Sequence, residues 1–268
     1  MKNGYRVIDI HSHIYPEKIA LKAAGATDSF YGTKAACGGT AEEYLRRTEG
    51  VIELSIVHSV ATTPRQVRSI NAYIASVCEA NAGRLVGYGT MHLESDDFSG
   101  DMEHLLAHGL RGIKLHPDIQ HFRLDDPRAM EIYRLCGEAG IPVLLHTGDT
   151  RYDYSNPNRL RPVVEALPNV TFIGAHFGGW SLWREAPKLL CGLKNLYYDC
   201  SSSLMYLTPE EAADCIRILG ADRMFFGVDY PMWEPLRELD RFFALPLTAE
   251  ERKMILYENA RRVLLTGE

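Results

Sequence analysis

Two histidines, His11 and His13, end an apolar segment near the start of the chain, in the sequence VIDIHSHIYP. In an extended strand, residues i and i+2 point to the same side. The two imidazoles therefore project together, and we expect Asp9 behind them on the same face. Imidazole nitrogens are preferred ligands of zinc and similar divalent metals. From this segment alone, a metal site and a pair of packed histidines both remain open.

Residues suited to metal binding and acid–base chemistry recur at the ends of other apolar runs. They are His92, Lys114, His116, His146, His176 and Asp229. Packed core histidines have no reason to gather at the same end of several different strands. The pattern therefore predicts a metal site assembled from distant parts of the chain.

The elements that must position these residues are eight short β-rich runs separated by segments with helical patterning. The runs are 7–13, 54–60, 85–92, 112–117, 142–149, 170–179, 196–202 and 223–231. Strict alternation of strands and helices over 268 residues predicts an α/β fold, a (β/α)8 TIM barrel, as a single domain over 1–268. Functional residues of such barrels lie at the carboxyl ends of the strands.

Two segments depart from the regular repeat. Residues 15–40, rich in Ala, Gly and Thr, follow the first strand, and we expect them to fold over the barrel mouth. A final helix over 249–265 follows the eighth unit, and we expect it to pack across the outside. An open doubly wound sheet is the alternative architecture, but the first strand lacks the Gly-rich turn that binds a nucleotide.

Composition limits the partners and the compartment. A net charge of −6 without a basic run argues against nucleic acid. No run of eighteen apolar residues predicts a membrane span. The six cysteines are scattered, as is typical of reduced thiols in a cytoplasmic protein. We therefore expect a small-molecule substrate.

Substrate contacts are expected from the loops after the fifth and sixth runs. The first loop carries Arg151 and Tyr152, and the second carries Trp180. An arginine beside aromatic faces is a common way to hold a carboxylate on a planar molecule. His92, and His58 at the end of the second run, either pack in the barrel or line its mouth.

The ordered set of motifs resembles the amidohydrolase superfamily. The resemblance is sharpest to the group that contains aminocarboxymuconate-semialdehyde decarboxylase and γ-resorcylate decarboxylase, and it extends from Val7 to Leu265. It rests on the HxH of the first strand, on the single residues His146, His176 and Asp229, and on the segments GIKLHP, AHFGG, FGVDYP and ENARRVLL.

The resemblance implies a ligand set and roles. One divalent metal would be bound by His11, His13, His146 and Asp229. Zn²⁺ is the favoured ion, and Mn²⁺ is the alternative. Asp229 and His176 would be the catalytic acid–base groups. A second metal bridged by a carbamylated Lys114 is the less favoured arrangement. Lys114 and His116 would otherwise contact the substrate or pack. Barrels of this group often pair, so a homodimer is an open expectation.

Two reactions fit the same residues. The first is hydrolysis of a small carboxylated substrate by a metal-activated water. The second is non-oxidative decarboxylation of an unsaturated or aromatic acid. The sequence favours the hydrolase, because the chain is shorter than the decarboxylases it resembles. A non-catalytic barrel is disfavoured, since a structural metal needs no additional acid or base such as His176.

Overall fold

The structure is a computed structural model that describes residues 1–265, so residues 266–268 of the predicted domain lie outside the described residues. Eight strands alternate with helices along the chain. The strands are β1 (Ile8–His13), β2 (Leu54–His58), β3 (Leu85–Gly87), β4 (Ile113–Leu115), β5 (Val143–Leu145), β6 (Phe172–Gly174), β7 (Leu196–Asp199) and β8 (Met224–Phe225).

The helices surround the strands. They are α1 (Glu17–Tyr31), α2 (Ala41–Thr48), α3 (Val67–Ala80), α4 (Phe98–Ala107), α5 (Pro117–Gln120), α6 (Pro127–Ala139), α7 (Pro157–Ala166), α8 (Ala186–Leu190), α9 (Pro209–Leu219), α10 (Pro235–Phe243), α11 (Ala249–Lys253) and α12 (Asn259–Leu264). Among the described residues, no helix is long and apolar enough to cross a bilayer.

All strand pairs are parallel, and the strands close into a barrel. Strands β1 to β3 pair in order, and so do β4 to β8. A bridge between Gly89 and Ile113 joins the two groups, and a bridge between Ser12 and Tyr230 closes the barrel. The predicted (β/α)8 barrel is confirmed.

Local signals explain where the helices begin and end. The Asp126 carboxylate accepts a hydrogen bond from the backbone N–H of Arg128, and Pro127 occupies the first turn of α6. Gly140 ends the same helix with a φ of 68°, a left-handed conformation that glycine adopts without strain.

The barrel interior holds an apolar cluster below the polar strand ends. Its strand members are Ile8, Ile10, Ile56, Val86, Leu144, Ile173 and Phe225. Ala260 and Leu264 of α12 pack into this cluster, so the end of the chain covers the amino-terminal end of the barrel. The expected final helix over 249–265 is divided into α11, a π-helical turn (Met254–Glu258) and α12. The expectation that it packs across the outside is wrong for α12, because that helix supplies apolar side chains to the barrel interior.

The long segment after β1 forms α1 and reaches across the barrel mouth, as expected. A cavity is lined by Ile19, Ala23 and Phe30 of α1, and by Ile70 and Tyr73 of α3. The cavity reaches the polar ends of the strands, so α1 forms part of the wall of the candidate site.

Candidate metal centre and active site

The end of β1 is irregular, and this irregularity sets the direction of its side chains. The pairing register with β2 shifts between Asp9 and Ser12. The Asp9 carboxylate accepts a hydrogen bond of 2.6 Å from the hydroxyl of Tyr44 on α2, and it therefore faces the helix layer. The expectation that Asp9 lies behind His11 on one face is wrong, because the alternation of a regular strand does not hold across this shift.

His11, His13 and Asp229 meet at the mouth of the barrel. Oδ1 of Asp229 lies 3.4 Å from Nε2 of His11 and 3.4 Å from Nε2 of His13. Ligands on a tetrahedral ion with bonds of about 2.1 Å stand about 3.4 Å apart. Asp229 therefore lies at ligand spacing from each of the two histidines, and all three side chains carry donor atoms that a divalent metal binds.

The electrostatics of the cluster match metal binding. Burial lowers the pKa of the imidazoles of His11, His13, His146 and His176, so that they are neutral at pH 7. Neutral imidazole is the form that binds a metal. Burial opposes ionisation of Asp229, but His11 and the hydrogen bond to His13 hold the pKa of that carboxyl well below its usual range. The cluster thus combines a carboxylate with neutral nitrogen ligands.

Asp199, at the end of β7, orients His11 and is absent from the sequence prediction. Its Oδ2 lies 2.8 Å from Nδ1 of His11. Burial acts against its ionisation, yet the neighbouring His11 holds the pKa of Asp199 well below its usual range. A carboxylate here keeps the His11 proton on Nδ1 and leaves Nε2 free to bind a metal. Its place within the seventh predicted run, 196–202, was the signal in the sequence.

His146 and His176 lie side by side, but they belong to different groups of potential ligands. Nε2 of His176 is 3.1 Å from Nδ1 of His146. The ligand atoms of His176, His11 and Asp229 all lie within 4.8 Å of one another, whereas His146 groups in the same way with His116 and Asp118. The structure therefore brings His176 against the candidate metal ligands His11 and Asp229. His146 as the fourth ligand stays a prediction.

Lys114 is buried in the same cluster. Its Nζ lies 3.1 Å from Nε2 of His11, and burial lowers its pKa to about 8. The sequence leaves three roles open for Lys114: a bridge between two metals, a substrate contact, or packing. The structure brings it to the cavity wall, where each of these roles is open to it.

His116 contacts α1 as well as His146. Its ring stacks on that of His146, with centroids 4.0 Å apart and an interplanar angle of 7°. The hydroxyl oxygen of Tyr31 is 2.8 Å from Nε2 of His116 and 3.2 Å from Nε2 of His146. Tyr31 is a second functional candidate that the sequence prediction missed, although the segment 15–40 was expected at this place.

Both His116 and Trp180, predicted from the sequence as substrate contacts, line the cavity. The cavity has a volume of about 740 Å³. Four aromatic side chains form a continuous row along its wall: Tyr31, Trp180, Tyr206 and Trp233. Ring centroids are 5.0 Å apart for Tyr31 and Trp180, 6.4 Å for Trp180 and Tyr206, and 6.3 Å for Tyr206 and Trp233.

Three predicted substrate contacts are not among the lining residues that the described chain provides: His92, Arg151 and Tyr152. Two nitrogens of the Arg151 guanidinium donate to the Asp149 carboxylate, and a third donates to the carbonyl oxygen of Phe30. This arginine is occupied in holding the end of α1, so it does not offer a free fork to a substrate carboxylate.

The other two residues have local contacts instead. Tyr152 is 41% exposed and stacks on Phe30 at 5.8 Å, outside the cavity. His92 is buried, and its Nδ1 accepts a hydrogen bond from the backbone of Glu94. The roles of His92, Arg151 and Tyr152 as substrate contacts stay predictions. None of the three lines the cavity, but the Arg151 guanidinium lies over two rings that do, 5.1 Å from the centroid of Tyr31 and 5.9 Å from that of Trp180.

Several residues with a strained backbone conformation lie at or beside the cavity. Of the described residues other than glycine, seven have a positive φ, and four of these lie at or beside the cavity: His176, Phe177, Ser202 and Asp229. Each such residue costs on the order of 1–3 kcal/mol. Strain of this kind is often retained where it aims a functional side chain, and here it aims His176 and Asp229 into the cavity.

Comparison with known proteins agrees with this arrangement. A model of the amidohydrolase family matches residues 8–265, and the chain belongs to that family. A curated relative is 2-amino-3-carboxymuconate-6-semialdehyde decarboxylase of Dictyostelium discoideum, 25% identical over 211 residues, which are 63% of this chain and 57% of the relative. The chain thus matches little more than half the length of that enzyme.

Solved structures share the fold at lower identity. An uncharacterised TIM-barrel protein of Bordetella bronchiseptica superposes with a TM-score of 0.77 at 24% identity, over 97% of this chain and 98% of the other. A 5-carboxyvanillate decarboxylase of Novosphingobium aromaticivorans, complexed with manganese and a nitrobenzoic acid, superposes with a TM-score of 0.76 at 14% identity, over 98% and 97%. The 5-carboxyvanillate decarboxylase of Sphingomonas paucimobilis superposes with a TM-score of 0.72 at 15% identity, over 98% of this chain and 99% of the other.

Proposed function

We propose that this protein is a metal-dependent, non-oxidative decarboxylase of aromatic or unsaturated carboxylic acids. The observation that carries the proposal is the aromatic wall from Tyr31 to Trp233, which stands in one cavity with His11, His13 and Asp229. A planar, conjugated acid can lie along such a wall while its polar end reaches the cluster. The curated relative and the two 5-carboxyvanillate enzymes named above are decarboxylases, which supports this reaction over hydrolysis.

The hydrolase favoured by the sequence is not confirmed. Its support from the sequence is chain length, because a chain shorter than the decarboxylases is expected to lack some of their loops. The superposition on the Sphingomonas paucimobilis enzyme covers 99% of that chain, which removes this support. Hydrolysis stays the alternative that the experiment below tests.

The chain's own residues supply the binding site for one divalent cation. His11, His13 and Asp229 would hold it, with His146 as the fourth ligand that the family resemblance implies. When bound, the cation would attract an oxygen substituent of the substrate and withdraw electrons from it. Asp199 maintains the required tautomer of His11.

We assign proton delivery to His176. Its Nδ1 lies 2.8 Å from the carbonyl oxygen of Ser201, which keeps the N–H on that atom and leaves Nε2 facing His146 and the cavity. Neutral His176 takes up a proton from solvent at Nε2, and the imidazolium passes this proton to the carbon that bears the carboxylate. The electron pair of the broken C–C bond then returns to the conjugated system as carbon dioxide leaves, and His176 is neutral again.

Product analysis tests this proposal. Protein loaded with Mn²⁺ or Zn²⁺ is incubated with 2,6-dihydroxybenzoate, 5-carboxyvanillate and related hydroxybenzoates in D₂O, and in a parallel sample in H₂¹⁸O. Decarboxylation releases carbon dioxide and places one deuterium on the carbon that carried the carboxyl group, with no ¹⁸O in the organic product. Hydrolysis of an ester, lactone or amide panel with ¹⁸O in the product, and no carbon dioxide from the acids, would contradict the proposal. Chelated protein is the control and should be inactive.

A further inference from the structure

His58, at the end of β2, is a buried histidine whose environment is incomplete. Its side chain is fully buried, and neither ring nitrogen has a hydrogen-bond partner among the described residues. Buried polar atoms are almost always paired, so an unpaired one often indicates a bound ion or water. A neutral imidazole has one N–H and one lone pair, and both lack a protein partner here.

The neighbours of His58 are the two histidines of the HxH motif. Its residue position is paired with His13 in the parallel register of β1 and β2. The centroid of the His58 ring lies 4.4 Å from that of His13, with an interplanar angle of 89°, and 5.1 Å from that of His11, with an interplanar angle of 64°. The His58 ring therefore meets both neighbours edge-on and does not stack on them, and each of the three rings can direct a nitrogen toward a common point.

The nitrogen atoms of these three rings are close enough for one ion. One ligand atom from each of His11, His13 and His58 lies within 4.8 Å of the other two. Two nitrogens on opposite sides of an ion with bonds of about 2.1 Å stand about 4.2 Å apart. The triad therefore has nearly the size of a single coordination shell.

We infer that His58 is an additional ligand of the divalent metal in this protein, binding it together with His11 and His13. The inference rests on the metal centre of the proposed function and adds a ligand that the family pattern does not contain. A further imidazole makes the centre richer in nitrogen. Nitrogen-rich sites favour Zn²⁺, Co²⁺ and Ni²⁺, whereas Mn²⁺ prefers oxygen. His58 should therefore increase the preference of this centre for Zn²⁺ over Mn²⁺.

A cysteine substitution tests contact with the metal directly. In H58C loaded with Co²⁺, a thiolate bound to the ion gives an intense sulfur-to-cobalt charge-transfer band in the near ultraviolet, which the wild type lacks. The matched control is H92C, since His92 is also a buried histidine but does not group with His11 and His13 as a potential ligand. A band in H58C and none in H92C is the expected result. A folded H58C that binds Co²⁺ without this band overturns the inference.

Affinity gives a second readout with a different variant. In H58N, competition with a chromophoric chelator should show Zn²⁺ binding weakened by about tenfold or more, and Mn²⁺ binding weakened by a smaller factor. Circular dichroism confirms folding, and H92N is the control. If wild type and H58N bind both metals equally, His58 is not a ligand and the proposed function stands. If the wild type binds neither metal, both proposals fail.

Discussion

The hydroxyl oxygen of Tyr31 lies 2.8 Å from Nε2 of His116, although 85 residues separate the two along the chain. Tyr31 is the last residue of α1, and His116 follows β4 directly. The same oxygen lies 3.2 Å from Nε2 of His146, so one phenol connects the helix over the mouth to two stacked imidazoles. The position of α1 and the geometry of the barrel end are therefore coupled through one hydroxyl group.

Replacing Tyr31 with Phe should lower kcat/KM for decarboxylation by about tenfold, while the unfolding free energy changes by only about 0.5–1.5 kcal/mol. The reason is that the ring still packs on Trp180 while the two histidines lose their common partner. Steady-state kinetics with 2,6-dihydroxybenzoate measures the effect. Tyr152→Phe is the control, because that ring stacks outside the cavity. A Y31F enzyme with unchanged kinetics would show that the hydroxyl has no part in the site.

Replacing Asp199 with Asn should weaken metal binding by about 10- to 100-fold. The amide has nearly the shape of the carboxylate, but it no longer favours the His11 tautomer with the proton on Nδ1. Equilibrium dialysis against Zn²⁺ measures the change. Asp126→Asn is a suitable control, since this residue caps α6 far from the cavity. Equal affinity in D199N and wild type would show that Asp199 does not orient the ligand.

Replacing His176 with Asn should leave one metal ion bound and reduce kcat by about 10²- to 10⁴-fold. This is the result expected of a residue that moves a proton. Metal analysis and kinetics on the same sample give both values. Loss of the metal is also a meaningful outcome, because the ligand atoms of His176, His11 and Asp229 are close enough together to bind one ion. Loss of the metal in H176N would make His176 a ligand and would require another proton donor.

The stability of the protein should decrease as the pH rises through the pKa of a buried carboxyl group that is not a metal ligand. Glu238 on α10 is almost completely buried, and burial raises its pKa from 4.5 to about 7 despite the neighbouring Arg241. The folded protein therefore binds this proton more tightly than the unfolded chain. The stabilisation is complete below pH 4.5 and is lost as the pH rises to 7, by about 3 kcal/mol.

Substitution isolates the contribution of Glu238. Urea unfolding of the wild type and of E238Q is compared at pH 5 and pH 8 in the presence of EDTA. Between pH 5 and pH 8, the free energy of unfolding of the wild type should fall by about 2–3 kcal/mol more than that of E238Q. Identical pH dependence in the two proteins would mean that Glu238 is ionised in the folded state throughout the range.

The amino-acid sequence was sufficient to predict the barrel and the common location of its polar residues. Alternation of strands and helices is a local pattern, and a closed parallel barrel places every carboxyl end on the same face. For that reason His11, His13, His176 and Asp229 were expected together, and they lie together in the structure. The segment 15–40 was also correctly expected over the mouth.

The direction and partners of individual side chains depend on contacts between distant segments, which no local pattern contains. The register shift in β1 turns Asp9 toward Tyr44, and the Asp149 carboxylate accepts hydrogen bonds from the guanidinium of Arg151. Likewise, Asp199 became recognisable as a partner of His11 only when β7 and β1 were placed in one barrel. Strand periodicity predicts which end of the barrel a residue occupies, but packing between segments decides which atoms it meets.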